Sequence, residues 1–344
     1  MALLTDGAII ETSGSTGRPK RVRISGAAFR ASAKAAADEL GTPGRWVLAL
    51  PDRYVAGLNV IARAEYWGQE PVVAIGGPRF SALGFAAVVS GIDGPLYTSL
   101  VPVLLGRLLD SAPGLEALRR FDRVLLGGQA PDPALVTRAR QEGIRVTITY
   151  GMTETCGGVV WDGRPIGDTE VMIADDLIHI TGSSLADGYV DDPELTAEAF
   201  PTIDGRRWHR TKDHGELHGG RLTVLGRADD MIISGGIKVS LAEVEFAARG
   251  LGLRDAVAVS VPHGDWGDAP VLATAVARDE IADGQVVAGI KASLGPAAAP
   301  VAILHVDGMP MLPSGKPDRV ALAELALGAE RSAFAAPLGS PPQP

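Results

Sequence analysis

Cysteine is nearly absent: Cys156 stands alone in 344 residues, so no intramolecular disulfide can staple the fold. Runs of lysine or arginine are missing too. The 32 basic and 41 acidic residues leave a formal charge of −9, which makes nucleic acid a poor partner. The most apolar stretches, such as "FAAVVSGI", fall far short of the roughly 20 residues of a membrane span. The opening "MALLTDGAIIETSG" lacks a basic n-region and a long apolar h-region. No fixed-period repeat is visible. Three of the six histidines sit in "WHRTKDHGELH", without the cysteine or carboxylate spacing of a zinc site. The expectation from these absences is a soluble cytoplasmic protein with no membrane insertion.

Hydrophobic residues make up 46% and charged residues 21%, enough apolar side chain to offset chain entropy over most of the length. At this length two domains are the starting expectation, with a single large α/β domain as the alternative. Between Ser25 and "IRVTITYG", Ala-rich helical segments such as "SGAAFRASAKAAADEL", "GLNVIARAEYWG" and "DPALVTRARQEG" alternate with short apolar runs, "RWVLALP", "PVVAIGG" and "RVLLGG". Continuous apolar strands between helices are what a parallel sheet covered on both faces requires. After Gly157 short β-like runs such as "EVMIADDLIHITG", "LADGYV" and "RLTVLG" predict an antiparallel section. Alternation resumes around "GRADD" with "MIISGG", "SLAEVEFAARG", "DAVAVSV", "VLATAVA", "GQVVAGIKASLG" and "VAILHV". The fold class expected is therefore α/β: a large N-terminal domain (1–226) with a mostly parallel sheet plus an antiparallel section, and a smaller α+β domain (227–328). Residues 329–344, rich in proline and small residues, read as a flexible tail.

The stretch "ETSGSTGRPKRV" offers Thr12, Ser13, Gly14, Ser15, Thr16 and Gly17, followed by Lys20. Backbone N–H groups, hydroxyls and a lysine charge suit polyphosphate oxygens. The spacing fails the P-loop pattern, because Pro19 precedes the lysine and Arg21 follows it. Taken alone, it is equally a polar surface loop with glycines for its turns.

Four more stretches follow in order: "YGMTETCGG" from Tyr150, "RTKDHGEL" from Arg210, "GRADDMIISGGIKVSLAEVE" from Gly226 and "LPSGKPDR" from Leu312. With "TSGSTGRPK" in front, the series resembles the adenylate-forming superfamily of acyl-CoA synthetases, adenylation domains and luciferases, over nearly the whole chain. The resemblance implies ATP-dependent activation of a carboxylic acid as acyl-AMP, magnesium, and transfer of the acyl group to CoA. A carboxylate is a poor electrophile, and AMP turns it into a good one; the step crowds several anions together, so countercharge at the α-phosphate should dominate.

On that resemblance Lys316 is the catalytic lysine bridging the attacking carboxylate and the α-phosphate, a compact charge on a flexible stem. Glu154 holds Mg²⁺ with substrate phosphates, Thr153 reaches a phosphate, and Tyr150, with Gly151 and Met152, meets adenine. Gly127, Gly128 and Gln129 form part of the adenine wall. Asp213 takes the ribose hydroxyls, reinforced by Arg227. Asp229 stands at the hinge between domains, and Gly235, Gly236 and Lys238 face CoA. Cys156 has no base partner in the pattern, which favours packing over nucleophilic catalysis.

Within the superfamily, "YGMTETCGG" and "LLGGQ" followed by "GIRVTITYG" are most similar to the o-succinylbenzoate–CoA ligases of menaquinone biosynthesis. An aromatic keto diacid leaves a second carboxylate to neutralise. In "RYVAGLNVIARAEYWG", Arg63 matches a pocket arginine, with Tyr54 and Gly57 beside the acid; otherwise Arg63 is a helix-surface residue. An arginine fork fits a carboxylate bidentately. The chain departs from the pattern at Glu11, where an aromatic residue is common, at Lys212, where glycine precedes the ribose aspartate, and at Tyr54, in place of a histidine. It also has ten residues before Glu11 where relatives carry a subdomain, which suggests a minimal form or a homodimer covering the flank. The alternatives are an aryl or fatty acyl-CoA ligase, a carrier-protein-loading enzyme, or, in another class, a nucleotide-binding module without catalysis.

Overall fold

The computed structural model describes residues 2–12, 20–74, 80–312 and 317–333. The chain forms two compact units, one of residues 1–211 and 215–224, the other of 212–214 and 225–344.

The first unit is built on a seven-stranded sheet. Val72–Val73, Arg45–Leu48, Leu96–Leu100, Arg123–Leu126 and Val146–Met152 lie parallel in that order. Gly157–Trp161 and Arg164–Pro165 then continue it antiparallel. The continuous apolar runs have the reason anticipated for them. Val47, Val124 and Leu126 point into one cluster with Phe85, Leu105 and Phe121, while Trp46, Leu48 and Leu125 join Val60, Ala64 and Trp161 on the other face. Each fully buried side chain of that size stabilises by about 1.5–3 kcal/mol.

The helices begin and end where the sequence supplies caps. Gly26–Leu40 starts behind Ser25, whose hydroxyl accepts from the Ala28 N–H at 3.2 Å, and stops at left-handed Gly41. Pro133–Gln141 starts behind Asp132 in the same way. Two larger antiparallel sheets and a two-stranded one, Thr202–Ile203 with Arg206–Arg207, stand beside the seven-stranded sheet. Ala8–Thr12, Lys20–Ile24 and Gly188–Tyr189 make a three-stranded one, and Glu170–Ala174, Leu177–Thr181, His209–His218 and Arg221–Arg227 a four-stranded one.

In the second unit the strand order is Ile237–Ser240, Met231–Ser234, Gly267–Thr274, Val257–His263, with Ala302–His305 parallel to Gly267–Thr274. Leu241–Gly250 and Asp283–Leu294 bury Val244, Ala248, Val286 and Ile290 against Ile232, Val239 and Leu272. Helix Arg319–Ala333 packs Leu322 and Ala326 on Val257, Val259 and Val271. This helix runs to Ala333, so the first residues of the expected tail are helical. "GAERSA" carries helix formers ahead of the first downstream proline, Pro337. Residues 334–344 lie outside the described residues.

Candidate functional site

Four strand ends and one helix enclose a cavity in the first unit. Ser99 to Val101 enter from one strand end, Gly127 and Gly128 from the next, Thr149 and Gly151 from a third, and Gly157 and Gly158 from the antiparallel neighbour. Helix Val55–Tyr66 contributes Val55, Ala56, Asn59 and Arg63. The parallel strands meet the cavity at their carboxyl ends, where open α/β sheets place ligands. Backbone forms much of the wall. At Gly157, φ is 89° and an added Cβ would lie 2.5 Å from Asn59 Nδ2; at Gly128, φ is 86° and a Cβ would lie 3.1 Å from Val101 Cγ1.

Arg63 is only 5% exposed, which excludes the helix-surface reading. Its guanidinium donates to Ser99 Oγ at 3.4 Å and stacks 5.2 Å from the Trp46 ring and 6.0 Å from the Trp161 ring. Its Nε has no partner, and no described carboxylate pairs with it. Burial lowers its pKa to about 10, so it stays cationic at neutral pH. A desolvated cation facing a cavity without a counter-ion is a receptor for an anion.

A second cavity, of about 420 Å³, is lined by Arg123, Thr147, Asp162 and Arg164. It lies at the amino ends of strands Arg123–Leu126 and Val146–Met152, none of the residues named for the chemistry lines it, and size alone does not make it the reaction site.

Past the carboxyl end of Val146–Met152 the chain makes a 3₁₀ turn, Thr153–Thr155, that presents Glu154. The Thr155 hydroxyl accepts from the Met152 N–H at 2.9 Å and donates to the Gly157 carbonyl at 2.8 Å. Cys156 follows in the left-handed region at φ 55°. Its carbonyl accepts from Asn59 Nδ2 at 2.8 Å and Ser32 Oγ at 3.3 Å. Burial pushes the Cys156 thiol up to about 12, which removes it as a nucleophile at neutral pH. Glu154 Oε1 accepts from the Tyr189 hydroxyl at 2.8 Å, and Lys20 Nζ lies 5.3 Å from the centre of the Tyr189 ring. Burial and the neighbouring Glu154 raise the Tyr189 pKa, so the phenol keeps its proton and donates.

Of the residues singled out in the sequence, Thr12 and Lys20 are one antiparallel pair closing the base of the Ser/Gly loop, with Thr12 Oγ1 donating to the Lys20 carbonyl at 3.3 Å. Ser13, Gly14, Ser15, Thr16 and Gly17 lie outside the described residues, as does Lys316. Lys316 is flanked by an antiparallel bridge between Met311 and Pro317. Tyr150 packs with Val159, Val160 and Ile178, and the Met152 sulfur is 3.3 Å from His209 Nε2. Gln129 is exposed beyond its strand end. Asp213 is 6% exposed and accepts from Arg227 Nη1 at 3.5 Å, the two meeting across adjacent strands. Asp229 lies in the 3₁₀ turn Ala228–Asp230.

Gly235 and Gly236, with φ 57° and 78°, form a two-residue hairpin turn between Met231–Ser234 and Ile237–Ser240. Positive φ at both central positions is a sufficient structural reason for the pair; Lys238 is exposed next to it. Tyr54 and Gly57 do not line the cavity. Tyr54 carries the Arg53 guanidinium over its ring, and Gly57 lets the helix approach the Pro51 carbonyl, which a Cβ would meet at 2.2 Å. Tyr189, Asn59 and Ser32 escaped the sequence reading. The one available signal was Asn59 standing one helical turn before Arg63.

The sequence profile of the AMP-binding enzyme family matches residues 8–190. A probable 2-succinylbenzoate–CoA ligase of Mycobacterium tuberculosis strain H37Rv is 36% identical over 326 residues, covering 91% of this chain and 83% of the relative. The 2-succinylbenzoate–CoA ligase of Escherichia coli K12 is 33% identical over 68% of this chain, which spans 50% of that relative's length. Among solved structures, the o-succinylbenzoate CoA synthetase of Bacillus subtilis in complex with the acyl-adenylate intermediate OSB-AMP superposes with a TM-score of 0.80. It is 26% identical, over 93% of this chain and 69% of that one.

Proposed function

The chain belongs to the AMP-binding enzyme family, and from that premise we propose that it is an ATP-dependent acid–CoA ligase acting on 2-succinylbenzoate. One carboxylate oxygen attacks the α-phosphorus, the bond to pyrophosphate breaks, and an acyl-adenylate forms. The CoA thiol then attacks the acyl carbon, loses its proton and expels AMP. The observation that carries the substrate assignment is Arg63: a buried guanidinium without a carboxylate partner among the described residues, in the cavity at the strand ends. A monoacid would leave it uncompensated, whereas the second carboxylate of a diacid matches it.

The other roles follow the family pattern. Thr12 and the loop to Gly17, with Lys20, take the β- and γ-phosphates. Tyr150, Gly151, Met152 and Gly127 to Gln129 frame adenine, Asp213 with Arg227 takes ribose, and Thr153 meets a phosphate. Lys316 stabilises the adenylating transition state, and Asp229 is the hinge that brings Gly235, Gly236 and Lys238 toward CoA. Among the described residues no group of three His, Cys, Asp or Glu side chains could hold a metal by itself. Magnesium needs no such group, since it binds through one or two carboxylates plus substrate phosphates; Glu154, whose Oε1 accepts from the Tyr189 hydroxyl, supplies the carboxylate. Bound there, the ion would neutralise phosphate charge.

The test is pyrophosphate release and thioester formation across a panel of acids. 2-Succinylbenzoate should exceed benzoate, 4-phenylbutanoate and medium-chain fatty acids in kcat/KM by 100-fold or more, the discrimination expected when a site built for a polar group meets a ligand lacking it. Equal or better turnover of a monoacid would overturn the substrate.

A further inference from the structure

We infer that Tyr189 is a positioning residue that sets Glu154 and Lys20 against one another at the phosphate end of the site, through its hydroxyl and its ring respectively. The inference rests on the reading of Glu154 as the magnesium carboxylate and Lys20 as a phosphate ligand.

Tyr189 reaches this place through the sheet. Strand Gly188–Tyr189 is two residues long and pairs antiparallel with Lys20–Ile24, with Tyr189 opposite Val22. That pairing sets the aromatic ring beside Lys20, whose ammonium lies 5.3 Å from the ring centre, within the range of a cation–π contact. The Tyr189 hydroxyl donates to Glu154 Oε1 at 2.8 Å, and the Ala186 N–H donates to the Glu154 carbonyl at 2.9 Å. The same short segment thus holds Glu154 at two points, the carboxylate through the Tyr189 hydroxyl and the main-chain carbonyl through the Ala186 N–H. Thr196 Oγ1 accepts from the Tyr189 N–H at 2.9 Å, and Phe200 lies 6.1 Å from the ring, so the ring is itself fixed. Fixing matters because a carboxylate and an ammonium free to collapse on each other would neutralise the charges both need for phosphate and metal. With both tied to Tyr189, Glu154 has its Oε1 committed to the phenol and Oε2 left for another ligand.

The two halves of the inference separate experimentally. Tyr189→Phe removes the hydroxyl and keeps the ring; Tyr189→Leu removes both. ATP affinity of the full chain is measured by calorimetry with magnesium and in EDTA, alongside melting temperature and 2-succinylbenzoate affinity as controls for folding. Tyr189→Phe should leave ATP affinity in EDTA within twofold of wild type and cut the magnesium-dependent gain by about 5- to 10-fold. Tyr189→Leu should in addition weaken ATP in EDTA by about fivefold, while neither changes acid affinity. A magnesium-dependent gain unchanged in Tyr189→Phe, in the same assay where Glu154→Gln abolishes it, overturns the hydroxyl's role alone. A silent Glu154→Gln overturns the magnesium assignment and that role with it. Tyr189→Leu behaving as Tyr189→Phe overturns the role of the ring.

Discussion

Arg63 holds its charge in a place that resists charge, and its chemistry makes that workable. A guanidinium spreads its charge, stacks on Trp46 and Trp161, and remains protonated even with its pKa lowered to about 10 by burial. Removing it in Arg63→Ala should cost about 2–4 kcal/mol in kcat/KM for 2-succinylbenzoate, as when a buried charge loses its partner. A monoacid should lose little. The ratio of the two substrates' kcat/KM also isolates this group's titration, since groups that act on both acids cancel. For the native residue the ratio should be flat from pH 6 to 9, because the folded pKa lies above that window. Arg63→Lys puts a strongly hydrated ammonium in the same dry place, where desolvation lowers a lysine pKa by several units. The charged form then exists only on the acid side, so diacid preference in Arg63→Lys should persist at low pH and fade as pH rises through neutrality. A ratio as flat as that of the native residue would show that water reaches position 63.

At the scale of elements, helix Val55–Tyr66 does two things from one face. Arg63 faces the cavity, and Asn59, a turn earlier, holds the Cys156 carbonyl that ends the Glu154 turn. Asn59→Leu leaves that buried carbonyl with the Ser32 hydroxyl as remaining side-chain donor, at a cost of about 1–3 kcal/mol. Urea unfolding should show that loss, with pyrophosphate release reduced and acid discrimination kept, because Arg63 is untouched. The helix itself was legible from its alternation with short apolar runs, as were the strands either side and the change to antiparallel pairing after Gly157. Local pattern carries those. Asn59 and Tyr189 were not legible because their partners are fixed by non-local packing: a two-residue strand has no periodicity, and its register with Lys20–Ile24 exists only once the sheet forms. Gly57 is ambiguous for the related reason that one glycine serves equally for ligand approach and helix approach; its close approach to Pro51 is a sufficient structural reason for it. Gly235 and Gly236 carry the same ambiguity, with a hairpin turn accounting for both.

At the scale of the whole molecule, the apolar clusters fall into separate sets: those around Phe85, Trp46 and Phe29 belong to the first unit, those around Val244 and Val259 to the second. Two compact units that each bury apolar clusters of their own should unfold as separate cooperative events. Calorimetry should therefore resolve two transitions, with 2-succinylbenzoate raising only the one that reports the first unit, by about 2.7 kcal/mol at 100 times its dissociation constant. The same division allocates the chemistry. The cavity with Arg63, and Glu154 and Lys20, lie in the first unit, while Lys316 falls within the span of the second. A reaction whose first half-step is at the α-phosphorus and whose second is at the acyl carbon can use that allocation: on the roles proposed, Lys316 serves the first and has no part in thiol attack. Lys316→Ala should then lower adenylate formation by 100-fold or more, as loss of a transition-state countercharge does. Thioester formation from supplied acyl-adenylate and CoA should stay within a few-fold of wild type. The pair of rates is measured by pyrophosphate release for the first step and by acyl-CoA formed in a single turnover for the second. Equal loss in both would mean that Lys316 serves both steps or the integrity of its unit, and the division of labour between the two units would fall with it.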